Sequence, residues 1–186
     1  MKFILDIFLS LILIVILALP MVFIGLIVKL TSKGPALHWS DRVGKDCIIF
    51  KMPKFRTMVL GTPQLATHLM DEPDNFHTPI GKFLRKYSFD ELPQIFCIFN
   101  GRMSLVGPRP ALFNQKDLIE LREKKGVNSL RPGITGLAQV NGRDEMTIPV
   151  KVGYDEEYLM ESSVKLDIYI LWLTFLKVLK KEGVSH

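Results

Sequence analysis

The feature that most constrains this chain is an uncharged hydrophobic stretch near its start. Residues 7–28, IFLSLILIVILALPMVFIGLIV, contain no charged side chain. As an α-helix of about 22 residues, the stretch would measure about 33 Å, against about 30 Å for the hydrocarbon core of a bilayer. A cleaved signal peptide is disfavoured, because the stretch is too long and no small-residue cleavage pattern follows it. The stretch therefore predicts that the protein is inserted in a membrane.

Pro20 lies in the middle of this stretch. Proline removes a backbone hydrogen bond and clashes with the preceding turn, at a cost of about 3 kcal/mol, so it predicts a kink or a break. Either a kinked helix spans the bilayer, or two short legs enter and leave it by one face as a re-entrant helix. The need to satisfy backbone groups inside the bilayer favours the span. Both alternatives place the body of the protein in the cytosol, because basic residues follow the stretch: Lys29, Lys33, Arg42 and Lys45.

The whole chain has the length of one domain with a single core. Its formal net charge of +5 indicates an anionic partner, which is a phosphorylated ligand, an anionic lipid surface or a nucleic acid. Short β-like pieces between helical patterns predict an α/β fold that is rich in helix and has few short strands. We expect residues 1–30 to form the membrane helix and residues 31–186 a compact domain. Within that domain, residues 164–181 are expected to form an amphipathic helix at the membrane interface.

Two neighbouring acids, Asp90 and Glu91, stand in the segment SFDELPQIF of an otherwise basic and apolar region. Ser88 and Glu91 have the spacing of a capping box and Pro93 falls in the first turn, which predicts a helix that ends at Gly101. Asp90 would then lie at a helix N-terminus, where backbone N–H groups and the helix dipole favour its ionised form and a phosphate beside it. The simpler alternative is a charge that only stabilises its own helix.

Several basic or glycine-rich motifs accompany the acid pair. In KFRTM, Lys54 and Arg56 would share one face of an extended segment, either as ligand contacts or as a solvated strand edge. In GPRP, prolines on both sides restrict the backbone of Arg109, which suits its guanidinium to bidentate phosphate capture. The motif RPGITGLAQVNGR resembles a phosphate or nucleotide pocket in composition, with three glycines and the polar residues Arg131, Gln139, Asn141 and Arg143. In YDEEYL, Asp155 begins a run of three acids that predicts a helix start.

As an ordered set, these motifs resemble the monotopic phosphoglycosyl transferases, a family of bacterial sugar transferases, over residues 2–185. The set is the hydrophobic stretch with its proline, KFRTM, DELPQ, MSLVGPRP, RPGITGLAQVNGR, a Tyr-Asp-bearing helix and an amphipathic C-terminal helix. The length resembles the small members, of the N,N'-diacetylbacillosamine-1-phosphate transferase type. The resemblance implies a cytosol-facing catalytic domain on a re-entrant helix broken at Pro20, in place of the span. Leu19 is a departure, because close relatives commonly have serine there.

The resemblance also implies an activity at the bacterial cytoplasmic membrane. Such enzymes transfer a phospho-sugar from a UDP-sugar to undecaprenyl phosphate with Mg²⁺ and release UMP. The first acid of the pair, here Asp90, is the nucleophile that forms a covalent phospho-sugar intermediate, and it is also the expected metal contact. Glu91 is its essential neighbour. The other functional positions of the family correspond here to Lys54, Arg85, Arg109 and Asp155.

Other functions stay open on the residues alone. A membrane-bound UDP-sugar phosphohydrolase would use the same acid pair with water as the acceptor. A non-enzymatic scaffold would bind anionic lipid through its basic faces, but it gives no role to GPRP and the glycine-rich motif. Nucleic-acid binding is disfavoured, because no such motif is present and both ends of the chain are hydrophobic. Chain length favours an N-acetylated deoxy or diamino sugar, while the pathway and the oligomeric state, including a homodimer, stay open.

Overall fold

The structure, a computed structural model, describes residues 2–62, 76–142 and 146–180. The helices within these ranges are α1 (Lys2–Thr31), α2 (Gly81–Lys86), α3 (Ile95–Phe99), α4 (Lys116–Lys124), α5 (Leu137–Asn141), α6 (Ile148–Glu161) and α7 (Val164–Lys180). The strands are β1 (Leu37–Val43), β2 (Ile49–Phe55), β3 (Ser104–Val106) and β4 (Gly133–Thr135). Short 3₁₀ turns cover Lys45–Cys47, Phe89–Gln94 and Val127–Ser129. The predicted helix-rich fold with a few short strands is confirmed.

The strands form two separate pairs. β1 and β2 are antiparallel, and their register places His38 opposite Lys54. β3 and β4 are parallel, and Ser104 pairs with Gly133. Phe50 of β2 is buried in a core cluster that also contains residues of α3, so the hairpin is fixed beside that helix. β2 also packs against the 3₁₀ turn Phe89–Gln94, which brings one end of the hairpin to the acid pair.

Helix α1 contacts the rest of the molecule near both of its ends. Its buried residues are Asp6, Ser10, Met21 and Val28, which spread from its second turn to its last. Asp6 accepts hydrogen bonds from the Ser104 hydroxyl (2.7 Å) and the Leu105 N–H (3.3 Å) of β3. Lys2 forms an ion pair with Asp167 of α7. The start of α1 is therefore attached to both β3 and α7.

The other end of α1 is attached through Arg56. This guanidinium donates to the carbonyl oxygens of Ser32, Lys33 and Pro35, and its side chain is buried. Those three carbonyls lie in the turn between α1 and β1, and carbonyls at a helix end lack intrahelical partners. Lys54 and Arg56 therefore do not share a ligand-facing surface as predicted, because β2 ends at Phe55 and Arg56 turns to the end of α1.

The predicted break of the membrane helix at Pro20 is absent. α1 is one helix that continues through Pro20, so of the two predicted outcomes, a kink or a break, the break does not occur. Only one backbone hydrogen bond is lost at a proline, and the neighbouring turns keep theirs. By length and composition α1 could cross a membrane. Much of its surface is exposed and apolar, including Ile4, Phe8, Val15, Ile16, Leu19 and Phe23.

The glycines of the two loop motifs pack backbone against backbone. A Cβ atom at Gly133 would overlap the Gly107 nitrogen and the Thr135 carbonyl oxygen, and a Cβ atom at Gly136 would overlap the Gly107 carbonyl oxygen. These glycines hold the GPRP loop against β4. The two backbones approach so closely that there is no room for a side chain at these positions. Gly153 of α6 is different, since a Cβ atom there meets nothing within 4 Å.

Alanine at these two kinds of glycine should have opposite effects on stability. We expect Gly133→Ala to lower the free energy of unfolding by about 3 kcal/mol, because β3 and β4 must separate. Gly153→Ala should raise it by about 0.5–1 kcal/mol, since alanine is the better helix former. Thermal melts of both variants in the same detergent measure the difference. A Gly133→Ala protein as stable as wild type would contradict the packing of the two loops.

Candidate active site

The acid pair lies in a 3₁₀ turn and not at the start of an α-helix. Phe89–Gln94 forms that turn, and α3 begins only at Ile95 and ends at Phe99. The predicted capping box is wrong, because Ser88 has a left-handed backbone (φ +56°) and its side chain makes no capping hydrogen bond. Pro93 is accommodated inside the turn, and Gly101 (φ +75°) follows two residues after the end of α3.

Asp90 is a buried carboxylate among cations. Only 7% of the surface of this residue is exposed to solvent. Burial raises the pKa of Asp90 to about 6, since Lys54, Arg85 and Arg109 lower it by less than burial and Glu91 raise it. The predicted helix-dipole stabilisation of the ionised form is therefore not what governs this group. The carboxylate is still largely ionised at pH 7.5, but burial makes its ionised form less favourable than in water.

The pKa of Glu91 is shifted in the opposite direction to that of Asp90. Its Oε1 atom accepts hydrogen bonds from Lys54 Nζ (2.7 Å) and Arg109 Nη2 (2.9 Å). Burial alone would raise the pKa of Glu91, but Arg109 and Lys54 outweigh it and hold the pKa well below its usual range. Two adjacent acids, Asp90 buried and Glu91 partly buried, thus have different electrostatic environments. Glu91 accepts hydrogen bonds from two cations, whereas burial outweighs the effect of the neighbouring cations on Asp90.

The structure brings five of the predicted site residues together. They come from separate elements: Lys54 from β2, Arg85 from α2, Asp90 and Glu91 from the 3₁₀ turn, and Arg109 from the loop after β3. Three cations next to two carboxylates can neutralise the charge of a bound diphosphate. The arrangement suits phosphoryl transfer, which depends on positioning and charge neutralisation.

Other predicted site residues lie outside this cluster. Arg56 holds the end of α1, as described above. Arg131 donates to the Gly101 carbonyl (2.9 Å) and its guanidinium lies 4.4 Å from the centre of the Phe3 ring. Gln139 is buried against the backbone of β4, with Nε2 3.4 Å from the Ile134 carbonyl oxygen. Arg143 lies outside the described residues. The described residues of the glycine-rich motif thus support the GPRP loop, and the phosphate pocket predicted for this motif stays a prediction.

Asp155 is placed away from the helix start that was predicted for it. α6 begins at Ile148, seven residues earlier, so Asp155 lies in the middle of that helix. Both Nε (2.9 Å) and Nη2 (2.7 Å) of Arg122 donate to Asp155 Oδ2. The pair is buried, with Arg122 4% and Asp155 2% exposed. No motif singled out Arg122, although its spacing of four from the buried Leu118 places it on the inner face of α4.

The acids of the site fit a divalent cation only together with substrate. The described residues contain no group of three or more His, Cys, Asp or Glu side chains suited to hold a metal. Mg²⁺ is commonly bound by one or two carboxylates plus the phosphates of a substrate. Asp90 and Glu91 provide such a pair, and a cation bound there would favour the ionised form of Asp90 that burial disfavours.

Comparison with known proteins places this chain in a family. The sequence model described as bacterial sugar transferase matches residues 1–181. The chain belongs to the bacterial sugar transferase family. This confirms the family predicted from the motifs.

Three relatives illustrate the similarity of this sugar transferase to characterised chains. The UDP-glucose:undecaprenyl-phosphate glucose-1-phosphate transferase of Escherichia coli (strain K12) is 38% identical over 180 residues, which cover 92% of this chain and 39% of the relative. The undecaprenyl-phosphate galactose phosphotransferase of Salmonella typhimurium (strain LT2) is 35% identical over 191 residues, with the same coverages of 92% and 39%. The exopolysaccharide production protein ExoY of Rhizobium meliloti (strain 1021) is 34% identical over 174 residues, covering 84% of this chain and 76% of ExoY.

The sugar transferase thus matches only about two fifths of the length of the first two relatives. Those relatives are named for glucose and galactose, so the matches support the family and leave the bacillosamine subtype as a prediction.

Proposed function

We propose that this sugar transferase moves a phospho-sugar from a UDP-sugar to undecaprenyl phosphate, giving undecaprenyl-diphosphate-sugar and UMP. The observation that carries the proposal is the unequal acid pair among three cations, in a family whose members include transferases of this kind. The step would begin the assembly of a polysaccharide or another glycoconjugate at the bacterial cytoplasmic membrane.

The first half-reaction is assigned to Asp90. An oxygen of its carboxylate attacks the sugar-bearing phosphorus of the UDP-sugar, and an aspartyl phospho-sugar forms. The bond from that phosphorus to the bridging oxygen breaks, and its electron pair leaves with UMP. Asp90 suits this role, because a carboxylate that is only partly neutralised keeps its nucleophilicity. Glu91, by contrast, is fully engaged by Lys54 and Arg109, and it holds both cations where a diphosphate can meet them.

The second half-reaction uses the lipid acceptor. A phosphate oxygen of undecaprenyl phosphate attacks the same phosphorus, the bond to the Asp90 oxygen breaks, and the free carboxylate returns. In both half-reactions an ionised oxygen attacks phosphorus, so neither step requires a general base. When Mg²⁺ is bound by the acid pair and substrate phosphates, it supplies neutralisation of the phosphoryl oxygens.

The acceptor is confined to the bilayer, so the membrane helix matters for access. We propose that α1 bends at Pro20 inside the membrane, so that both of its ends lie at the cytoplasmic face and it does not span the bilayer. Both of its ends contact the same body, through Lys2 and Asp167 at one end and Arg56 and Ser32 at the other. A spanning helix would place these two ends about 30 Å apart on opposite sides of the hydrocarbon core.

Cysteine labelling tests this topology. We expect single cysteines at Ile4 and Leu30, both exposed near opposite ends of α1, to react with an impermeant maleimide only from the cytoplasmic side. The labelling is compared between inside-out vesicles and intact spheroplasts, in a background with Cys47 and Cys97 replaced by serine. Labelling of Ile4→Cys from the outside alone would show that α1 spans the membrane.

The activity itself is tested with a panel of UDP-sugars, by measuring UMP release with and without polyprenyl phosphate. A transferase should turn over repeatedly only with the lipid acceptor, and the panel identifies the sugar among galactose, glucose and N-acetylated deoxy or diamino sugars. Sustained release of free sugar phosphate without lipid would indicate a phosphohydrolase. A scaffold predicts no release under either condition.

A further inference from the structure

The backbone that carries Arg109 is held by three different elements. The Pro108 carbonyl accepts from the Gly133 N–H of β4 (2.9 Å). The Arg109 carbonyl accepts a hydrogen bond from Nη1 of Arg122 in α4 (2.9 Å). The Pro110 carbonyl accepts one from Nη1 of Arg42 in β1 (3.1 Å). Three consecutive carbonyls are therefore fixed from three directions. Because prolines on both sides restrict rotation, movement of the Arg109 carbonyl would move the whole segment.

Arg122 is the more deeply buried of the two arginines that hold this segment. Asp155 of α6 fixes two of its nitrogens, and the third nitrogen is left pointing at the Arg109 carbonyl. A buried ion pair gives little net stability compared with well-packed apolar side chains of similar size. Stability alone therefore does not explain why this pair occupies the interface of α4 and α6.

We propose that Arg122 is a positioning residue, which holds the Arg109 guanidinium at Glu91 through the Arg109 carbonyl. Asp155 then serves the reaction by orienting Arg122 and not by contacting substrate. The inference rests on the proposed function, since it concerns the same transfer reaction. It changes the role expected for Asp155 and gives one to Arg122.

The first test compares two ion pairs that α6 makes, one with Arg122 in α4 and one with Lys125 immediately after α4. Arg122→Met removes the contact with Arg109, whereas Lys125→Met removes the exposed pair of Lys125 with Glu156 (3.1 Å), which does not touch the GPRP loop. We expect kcat/KM for the UDP-sugar to fall about 10- to 100-fold in Arg122→Met, because small displacements of a catalytic group cost this much. Lys125→Met should stay within about twofold of wild type.

A double-mutant cycle with Arg109→Met separates positioning from general structural support. If Arg122 acts through Arg109, the substitution Arg122→Met should lower kcat/KM by less than about threefold in the Arg109→Met background, since the group that it positions is already absent. An equal loss in both backgrounds would overturn the inference and leave the proposed function intact. Full activity of Arg109→Met would instead remove Arg109 from the proposed mechanism, and the inference with it.

A second variant covers the case in which Arg122→Met does not fold. Asp155→Asn keeps the side-chain volume and one acceptor oxygen, but it weakens the hold on Arg122. In the same cycle we expect kcat to fall more than KM rises, with the loss again confined to the background that retains Arg109. Folded Asp155→Asn protein with wild-type kcat and KM would overturn the inference.

Discussion

Replacement of Asp90 by asparagine should abolish transfer and at the same time stabilise the protein. The amide cannot attack phosphorus, so we expect the rate of UMP release to fall by about 10⁴-fold or more, as for other single nucleophile replacements. The same substitution removes a buried charge whose surroundings raise its pKa from 3.8 to about 6. At pH 7.5 the free energy of unfolding should increase by about 2–3 kcal/mol, which is the equivalent of that pKa difference.

The pH dependence distinguishes this stabilisation from a packing effect. In the unfolded chain Asp90 loses its proton near pH 3.8, and in the folded protein near pH 6. Wild-type stability therefore falls as the pH rises through this window, and it is lowered by the full amount above pH 6. The advantage of Asp90→Asn should be large at pH 7.5 and nearly absent at about pH 4. Thermal melts across this range measure it, and a variant less stable than wild type at pH 7.5 would contradict the electrostatic description of Asp90.

The adjacent substitution, Glu91→Gln, should change stability in the opposite direction. Its amide leaves Lys54 and Arg109 beside each other without the carboxylate that neutralises both. We expect the free energy of unfolding to fall by about 1–2 kcal/mol at pH 7.5, because the ion pairs that are lost are only partly buried. Transfer should slow by about 10²- to 10³-fold, because the two cations lose their fixed positions.

The pH dependence also identifies the ionised Glu91 carboxylate as the cause of this change, and an exposed carboxylate provides the control. The pKa of Glu91 is lower in the folded protein, so its contribution to stability is present above its unfolded pKa and is lost as the pH falls through its folded pKa. The deficit of Glu91→Gln should therefore shrink on acidification. Glu156→Gln, at an exposed carboxylate paired with Lys125, should cost less than about 1 kcal/mol. Stabilisation by Glu91→Gln at pH 7.5 would contradict the ion-pair assignment.

Local patterns in the sequence predicted which side chains come together better than they predicted the environment of those side chains. The motifs around Lys54, Asp90 and Arg109 pointed to one site, and these side chains do meet. The state of Asp90 could not be read from its neighbours in sequence, because burial depends on packing of β2 and α2 against the turn. The capping box at Ser88 failed for a similar reason, since the chain adopts a left-handed residue there and continues as a 3₁₀ turn.

Long-range partners were the other part beyond local sequence reasoning. Arg122 and Asp155 are 33 positions apart, and only the contact between α4 and α6 joins them. Arg56 stands in a basic motif that predicts ligand contacts. Its three carbonyl acceptors instead lie in the turn between α1 and β1. The membrane helix was predicted from hydropathy alone, whereas its attachment to the body at both ends depends on polar residues such as Lys2 and Asp6, which hydropathy does not place.

The central claim is that Asp90 carries the phospho-sugar between donor and acceptor. Its most direct test is intact-protein mass spectrometry after incubation with UDP-sugar and Mg²⁺ in the absence of lipid. We predict an increase in mass by one phospho-sugar, located on the peptide that contains Asp90, absent in Asp90→Asn and removed when polyprenyl phosphate is added. An unmodified wild-type protein that still forms lipid-linked product under matched conditions, or an adduct that persists in Asp90→Asn, would contradict the claim.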